Sequence, residues 1–369
     1  GWMPQTDDHF HVLSLLGIER IVVALNKIDA VDEETAQLAE EEIRERLAST
    51  RFEGADIVRT SARTGEGIDR LKEALLENLR KLPRAADSGK PYLFVDRVFT
   101  AKGHGTIITG TQKNGRFHEN DPVTVLPQKQ EARIKKIESH FKGQEEGSQS
   151  QRTALNLSGI ATDEIVRGHI VVRNNFFSES REILALIRLR HIKREIKNNL
   201  GVEIIIGTSS IKGKLILIGR DSEKELTFAA RIRFDRTWFF YTGEPFILTH
   251  PGGFRIIGGG TVLLPDTSLI ADRRALPSLI AGLEGSSREA LALLAVRSRG
   301  AVSRDDLAAL FPDSQKASEK TVQDLIASKR AVAPGQIVFD AAYYDSSIGA
   351  IVSAIKSATG PNLTEIANI

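Results

Sequence analysis

Ile21-Val22-Val23-Ala24-Leu25-Asn26-Lys27-Ile28-Asp29 is the stretch that decides how the chain begins to fold. An unbroken apolar run that stops in a polar tetrapeptide predicts a central parallel strand, buried on both faces, whose end opens into a crevice. Upstream, Asp7–Leu16 predicts a short helix with Phe10, Val12, Leu13 and Leu16 on its apolar side, stopped by Gly17. Downstream, Glu33–Ala48 predicts a helix that starts acidic and carries Ala39, Ile43 and Leu47 four apart. Asp56–Thr60 reads as a second strand, and Gly67–Arg80 as a helix with Ile68, Leu71, Leu75 and Leu79 in register. This alternation is part of a doubly wound sheet, and only part, because two or three strands cannot close such a domain.

Beyond the polar linker at 82–91 the helical period disappears. Short β-branched strands recur between turn signals: Lys102-Gly103-His104-Gly105, Asn114-Gly115, Asn120-Asp121-Pro122, Pro251-Gly252-Gly253 and Gly258-Gly259-Gly260. From 92 to about 265 they predict two small β-barrels joined near Asn174–Ser180. After Pro265 three helices are expected: Ser287–Arg297, one capped by Ser303 with Asp305 and Asp306 in its first turn, and Ser318–Ser328 with Val322, Leu325 and Ile326 inward. Ala331–Phe339 adds two strands around Pro334-Gly335, the pattern of a winged helix-turn-helix, and Asp345–Ala358 a further helix. The fold class is therefore multidomain α/β plus β: a partial doubly wound domain (1–84), two barrels (91–176 and 177–267), a winged helix (268–342) and the start of another (343–369).

Composition narrows the chemistry. The 369 residues are 41% apolar and 27% charged, ordinary for a globular protein, and no apolar run approaches the ~20 residues of a membrane span. With no cysteine there is no disulfide, thiolate metal site or thiol nucleophile. Nor does the start carry a signal peptide, so a cytoplasmic enzyme or binding protein is expected, without membrane partners. The net charge of +2 hides 12 Lys and Arg against 17 Asp and Glu in residues 1–84; the remainder is basic, which is where a polyanion can dock.

Asn26-Lys27-Ile28-Asp29 occupies the strand end where open α/β sheets bind ligands. A carboxylate there can accept from the two adjacent N–H groups of a guanine edge, which adenine lacks, while the Lys stem lies across the base. Alone, the tetrapeptide reads more readily as a polar strand-end loop than as a guanine site. Ser61-Ala62-Arg63-Thr64-Gly65-Glu66-Gly67 follows the second strand and opens a helix, where a small residue lets a backbone N–H approach the guanine carbonyl. Together the two motifs favour a guanine site formed by Asn26, Lys27, Asp29, Ser61 and Ala62. No G-x-x-x-x-G-K-S/T occurs, so the phosphate cradle is expected outside these residues and no catalytic residue is assigned within them.

Met3-Pro4-Gln5-Thr6 before a helix, Asn26-Lys27-Ile28-Asp29 and Ser61-Ala62 resemble the second half of the GTPase domain of translational GTPases of the elongation factor Tu class. Asp96-Arg97-Val98-Phe99-Thr100, Lys102-Gly103-His104-Gly105-Thr106 and Thr109-Gly110-Thr111 resemble the start of their second domain. The Asp-Arg pair, Gln151-Arg152-Thr153-Ala154-Leu155-Asn156, Arg167-Gly168 and the winged helix are similar to the selenocysteine-specific elongation factor family, SelB. The resemblance covers nearly the whole chain. It implies GTP as ligand, Mg2+ with the phosphate-binding part of the site, and a GTPase parent of which this chain alone is inactive. It also implies a monomeric factor that delivers selenocysteinyl-tRNA to the ribosome at recoded UGA, with the selenoprotein mRNA hairpin read by C-terminal winged helices. A non-catalytic tRNA- or ribosome-binding remnant is the alternative, and another barrel-bearing GTPase a third.

By that resemblance the first barrel holds the aminoacyl end. A selenol is largely ionised at neutral pH, and Arg97 and Arg152 converging on a dry pocket would favour the anion over serine. Asp96 is expected to orient Arg97 or to accept from the aminoacyl ammonium, and His104 to donate from the same turn. Each arginine reads alternatively as a surface strand charge. In Leu186–Lys197, Arg188, Arg190, Lys193, Arg194 and Lys197 read as a solvated strand face, or else as phosphate contacts. Lys316 and Lys320 can meet phosphates, but residues 286–340 balance eight basic against seven acidic side chains. Trp2 and Trp238 are expected to pack.

Overall fold

The structure, a computed structural model, describes residues 1–83, 87–101, 105–140, 142–190, 196–218, 226–252, 255–268, 270, 274, 276–280 and 287–359. The first module runs α1 (Pro4–Leu15), β1 (Val22–Leu25), α2 (Glu33–Leu47), β2 (Asp56–Arg59) and α3 (Ile68–Lys81). Pro4 starts α1, where its missing N–H costs nothing. Asp32 caps α2 by accepting from Thr35 N at 2.8 Å. The two strands pair in parallel, Val22 opposite Asp56 and Leu25 opposite Arg59. Ile43, Leu47 and Phe52 form the core, with Trp2, Phe10, Leu13, Val23 and Ile57 packed around them.

The expectation that β1 is buried on both faces does not hold. Among the described residues the sheet has two strands, so Ala24 is exposed and β1 is only half-buried. Leu75 and Leu79 of α3, expected inward, are 45% and 61% exposed, and only Ala74 of that helix is buried.

The first barrel contains β3 (Tyr92–Phe94), β4 (Arg97–Ala101), β5 (Gly105–Lys113), β6 (Pro122–Leu126), β7 (Gln130–Ser139), β8 (Lys142–Gln144), β9 (Arg152–Ser158) and β10 (Ile170–Val172). The order β3-β10-β6-β7-β9-β5 closes because β3 also pairs with β5, which removes free edges. Along β5, Thr106, Ile108, Gly110 and Gln112 are buried and their neighbours face outward, the period-two alternation of a strand. β4 continues along the edge of β5 that β3 leaves open.

The second barrel is closed in the order β11 (Ser178–Leu189), β14 (Thr227–Phe240), β13 (Ser209–Leu217), β12 (Leu200–Ile206), β15 (Pro245–Thr249) and β16 (Ile256–Leu264). Tyr92, Phe94, Phe176, Phe177, Phe239 and Tyr241 fill the seam between the barrels, and the hydroxyls of Tyr92 and Tyr241 lie 3.1 Å apart. Gly207 (φ +56°) is required there, since a Cβ would sit 2.4 Å from the Phe94 ring. Glu244 lies next to this seam, fully buried, and burial pushes its carboxyl well above the ordinary range.

The last part comprises α4 (Leu276–Ile280), α5 (Arg288–Arg299), β17 (Ala301–Ser303), α6 (Arg304–Ala309), α7 (Gln315–Ala327), β18 (Ala331–Val332), β19 (Ile337–Asp340) and α8 (Ala341–Thr359). Ser303 caps α6 as expected, accepting from Asp306 N at 3.0 Å. Three features differ from the sequence reading. β17 joins β19 and β18 in a three-stranded sheet, α7 starts at its own cap Ser314, and α8 starts directly after β19. Both barrels donate to carbonyls at and beyond the end of α6: Lys90 Nζ to Phe311 O at 3.1 Å, Thr242 N to Leu310 O at 3.1 Å and Asn114 Nδ2 to Pro312 O at 3.0 Å.

Candidate functional site

The ends of β1 and β2 bring the Asn26–Asp29 and Ser61–Gly67 motifs together. Thr60 N donates to Leu25 O at 2.9 Å and Ile28 N to Thr60 O at 3.2 Å, locking the two loops side by side. Lys27 takes a left-handed conformation (φ 68°) and turns the chain into a short 3-10 helix, Ile28–Ala30. Asp29 then meets the second loop. The buried Ser61 hydroxyl donates to Asp29 Oδ1, and Arg63 Nε donates to Oδ2 at 2.6 Å. The Ser61 bond, then Arg63, holds the Asp29 carboxyl below the usual range, so it stays an acceptor. Ala62 N donates to Asn26 Oδ1 at 3.2 Å. Gly67 (φ +72°) must be glycine, because a Cβ would lie 1.9 Å from Arg59 O. Lys27 is exposed at the mouth.

These residues fit a guanine edge. A carboxylate has about four lone-pair positions, and Asp29 uses two, leaving room for a ring N–H and an exocyclic amine. Arg63, quoted in the motif but given no role, is the side chain the sequence reading missed. Its signal was its place directly after Ser61-Ala62.

On the first barrel, Arg97 pairs opposite Thr109 and Arg152 opposite Thr111, so both arginines stand on the outer face around Thr109. Arg152 Nη1 donates to Asp96 Oδ2 at 2.5 Å and Nη2 to Thr109 Oγ1 at 3.1 Å. Arg97 is exposed and has no hydrogen bond or ion pair among the described residues. Two expectations are corrected. Asp96 orients Arg152 rather than Arg97, because the β5–β9 pairing brings the Arg152 guanidinium to its carboxylate. Nor do these side chains enclose a dry pocket: those of Arg152 and Asp96 are 53% and 26% exposed, since outward strand positions of a closed barrel face solvent. His104, with Lys102 and Gly103, lies outside the described residues.

The basic stretch at 186–197 splits. Arg190 is neither a solvated face nor a free phosphate contact: it is ion-paired with Asp7 and Asp8 of α1, binding the first module to the second barrel. Leu15 packs on the same barrel, where a Cβ at Gly259 would lie 3.1 Å from Leu15 Cβ. Arg188 is half-buried and Lys197 exposed; Lys193 and Arg194 lie outside the described residues. Lys316 and Lys320 are exposed on α7. Trp2 packs edge-on against Phe10 at 5.3 Å and Trp238 is buried, as expected.

Comparison with known proteins agrees with this architecture. Residues 1–81 match the family described as the elongation factor Tu GTP binding domain. The selenocysteine-specific elongation factor of Desulfomicrobium baculatum is 30% identical over 329 residues, 88% of this chain and 52% of that protein. That of Haemophilus influenzae is 32% identical over 266 residues, 71% of this chain and 41% of that protein. Elongation factor Tu 2 of Streptomyces avermitilis is 35% identical over 198 residues, 51% of this chain and 50% of that protein. The chain thus spans about half the length of the relatives it matches. In fold it resembles bacterial selenocysteine-specific elongation factor EF-Sec (TM-score 0.78, 22% identity, all of this chain and 60% of that one). It also resembles apo SelB of Methanococcus maripaludis (TM-score 0.63, 22% identity, 70% of this chain and 61% of that one). Residues 1–81 thus match the elongation factor Tu GTP binding domain, and the chain as a whole is similar to translational GTPases of the elongation factor Tu class. Among these, the similarity that extends over most of the chain is to the selenocysteine-specific elongation factors.

Proposed function

We propose that this chain belongs to a factor that binds GTP, carries selenocysteinyl-tRNA to the ribosome at recoded UGA codons and releases it after hydrolysis. The observation that carries the reading is Arg97, without an ion-pair partner among the described residues, beside the Asp96–Arg152 pair on the first barrel of a chain similar to elongation factor Tu-class GTPases. A selenolate delivered to that face gains a charge-assisted contact that a neutral serine hydroxyl does not. Asn26, Lys27, Asp29, Ser61 and Ala62 supply the guanine end of the nucleotide site; the aminoacyl pocket is Asp96, Arg97, Arg152 and His104. GTP hydrolysis is assigned to the parent protein, where Mg2+ neutralises phosphate charge when bound. We read the helices α5–α7 with their three-stranded sheet as a winged helix, and the selenoprotein mRNA hairpin as the partner of the C-terminal region. A monomeric, cytoplasmic factor is the form this reading takes.

A recoding reporter tests it. In cells lacking their own selenocysteine factor, the parent protein is expected to restore read-through of an in-frame UGA with selenocysteine inserted. Arg97→Ala is expected to abolish that insertion. Serine insertion, or full selenocysteine insertion by the variant, would contradict the reading.

A further inference from the structure

The two guanidiniums of the pocket are not equivalent. Both terminal nitrogens of Arg152 already have acceptors, Asp96 Oδ2 at 2.5 Å and Thr109 Oγ1 at 3.1 Å. Arg97, across from Thr109 on the same face, has none among the described residues. Asp96 therefore neutralises the charge of one guanidinium, and these three side chains present a single net positive charge, Arg97 being the one without an acceptor among the described residues.

That arrangement separates anions by hydration and shape. A side-chain carboxylate is small, hard and strongly hydrated, and leaves water for a site that meets both oxygens with forked, charge-assisted donors. Two free guanidiniums would form such a site; one exposed guanidinium does so weakly, at the ~0–1 kcal/mol typical of a solvated pair. A selenolate is a single large, polarisable and weakly hydrated atom, for which one guanidinium suffices.

We propose that Asp96 is a specificity-determining residue: by occupying Arg152 it denies aspartyl- and glutamyl-tRNA the second guanidinium while leaving Arg97 to the selenolate. Like charges left facing each other would instead make the pocket a general anion trap, so the carboxylate works by exclusion. This rests on the aminoacyl reading of the pocket.

One tRNA body, acylated in turn with selenocysteine, serine or aspartate, provides the test. The parent protein with GTP is assayed for protection of each ester against hydrolysis, with thermal unfolding of every variant as the control for folding. The wild type is expected to favour selenocysteinyl over aspartyl ester at least tenfold. Asp96→Asn is expected to shrink that ratio at least fivefold by strengthening aspartyl binding. Adding Arg152→Ala to Asp96→Asn is expected to move the ratio back, because the guanidinium released by the first change is gone. An unmoved ratio in Asp96→Asn, or an equal loss for all three esters, would overturn the role of Asp96 alone, provided the wild type still distinguishes selenium from oxygen. A wild type that protects seryl and selenocysteinyl esters alike, or neither, would overturn the aminoacyl reading and this proposal with it.

Discussion

Arg190 of the second barrel and Asp7 of helix α1 are ion-paired although 183 residues separate them in sequence. Arg190 is 18% exposed and also holds Asp8, so one guanidinium pins the first module to the barrels. Partly buried pairs of this kind carry more than solvated ones, about 1.5–3 kcal/mol for a hydrogen bond to a charged group. Arg190→Ala is expected to lower Tm by ~2–6 °C and to speed amide exchange in α1 while leaving β12 and β13 unchanged. Equal protection of α1 in both proteins would show that Leu15 and its neighbours hold the seam alone.

The turn that brings Ser61 to Asp29 depends on one backbone position. A Cβ at Gly67 would overlap Arg59 O at 1.9 Å, and φ there is +72°. Gly67→Ala is expected to cost more than ~2 kcal/mol by forcing the turn that presents Ser61 to Asp29. Ser61→Ala, which leaves the turn intact, is expected to weaken guanine-nucleotide binding by the parent protein roughly tenfold without a comparable fall in Tm. Calorimetric unfolding and nucleotide titration separate the two effects. Loss of stability in Ser61→Ala matching that of Gly67→Ala would contradict this division.

Glu244 makes stability depend on pH in an unusual sense. Burial raises its folded carboxyl well above the unfolded value, so its neutral form is the native one. Its contribution is fully present below the ordinary carboxylate range and is lost as pH rises from there toward the folded value. Glu244→Gln keeps an acceptor for Tyr241 N and removes the titration. The variant is expected to gain ~2–4 °C in Tm at pH 8 and nothing at pH 4. A constant difference across pH would show that Glu244 is charged in the fold.

Lys90 is the charged member of the joint between the barrels and the last module. Its ammonium donates to Phe311 O at 3.1 Å, a cation at carbonyls that follow a helix end. Lys90→Met preserves the stem and removes the donor. It is expected to destabilise residues 287–340 by roughly 1–2 kcal/mol, read as faster exchange in α5–α7 with the barrels unaffected.

What was legible in the sequence was what is local. Ser303 announces its helix by cap chemistry, the turn signals between short β-branched strands announce the barrels, and the Asn26–Asp29 and Ser61–Ala62 motifs each lie within one loop. What escaped depends on distant partners. Arg190 has the composition of a solvated strand until α1 is folded against it, and nothing within residues 186–197 names Asp7. Asp96 stands beside Arg97 in the chain, so adjacency points to that neighbour or to the aminoacyl ammonium. Only the β5–β9 register brings Arg152, 56 residues away, to its carboxylate. β17 is three residues long and becomes a strand only by pairing with β19. Burial of β1 was overstated because a continuous apolar run reports what a strand can bury, not how many neighbours it has.

The most direct measurement is equilibrium competition between selenocysteinyl and seryl esters on one tRNA body for the parent protein with GTP, across pH 4 to 8. If an anion is selected at Arg97, preference for the selenium ester is expected to be at least tenfold at pH 8. It should fade as acid protonates the selenol, and Arg97→Ala should remove it. Equal affinity for the two esters at pH 8, or a preference that survives in Arg97→Ala, would contradict it.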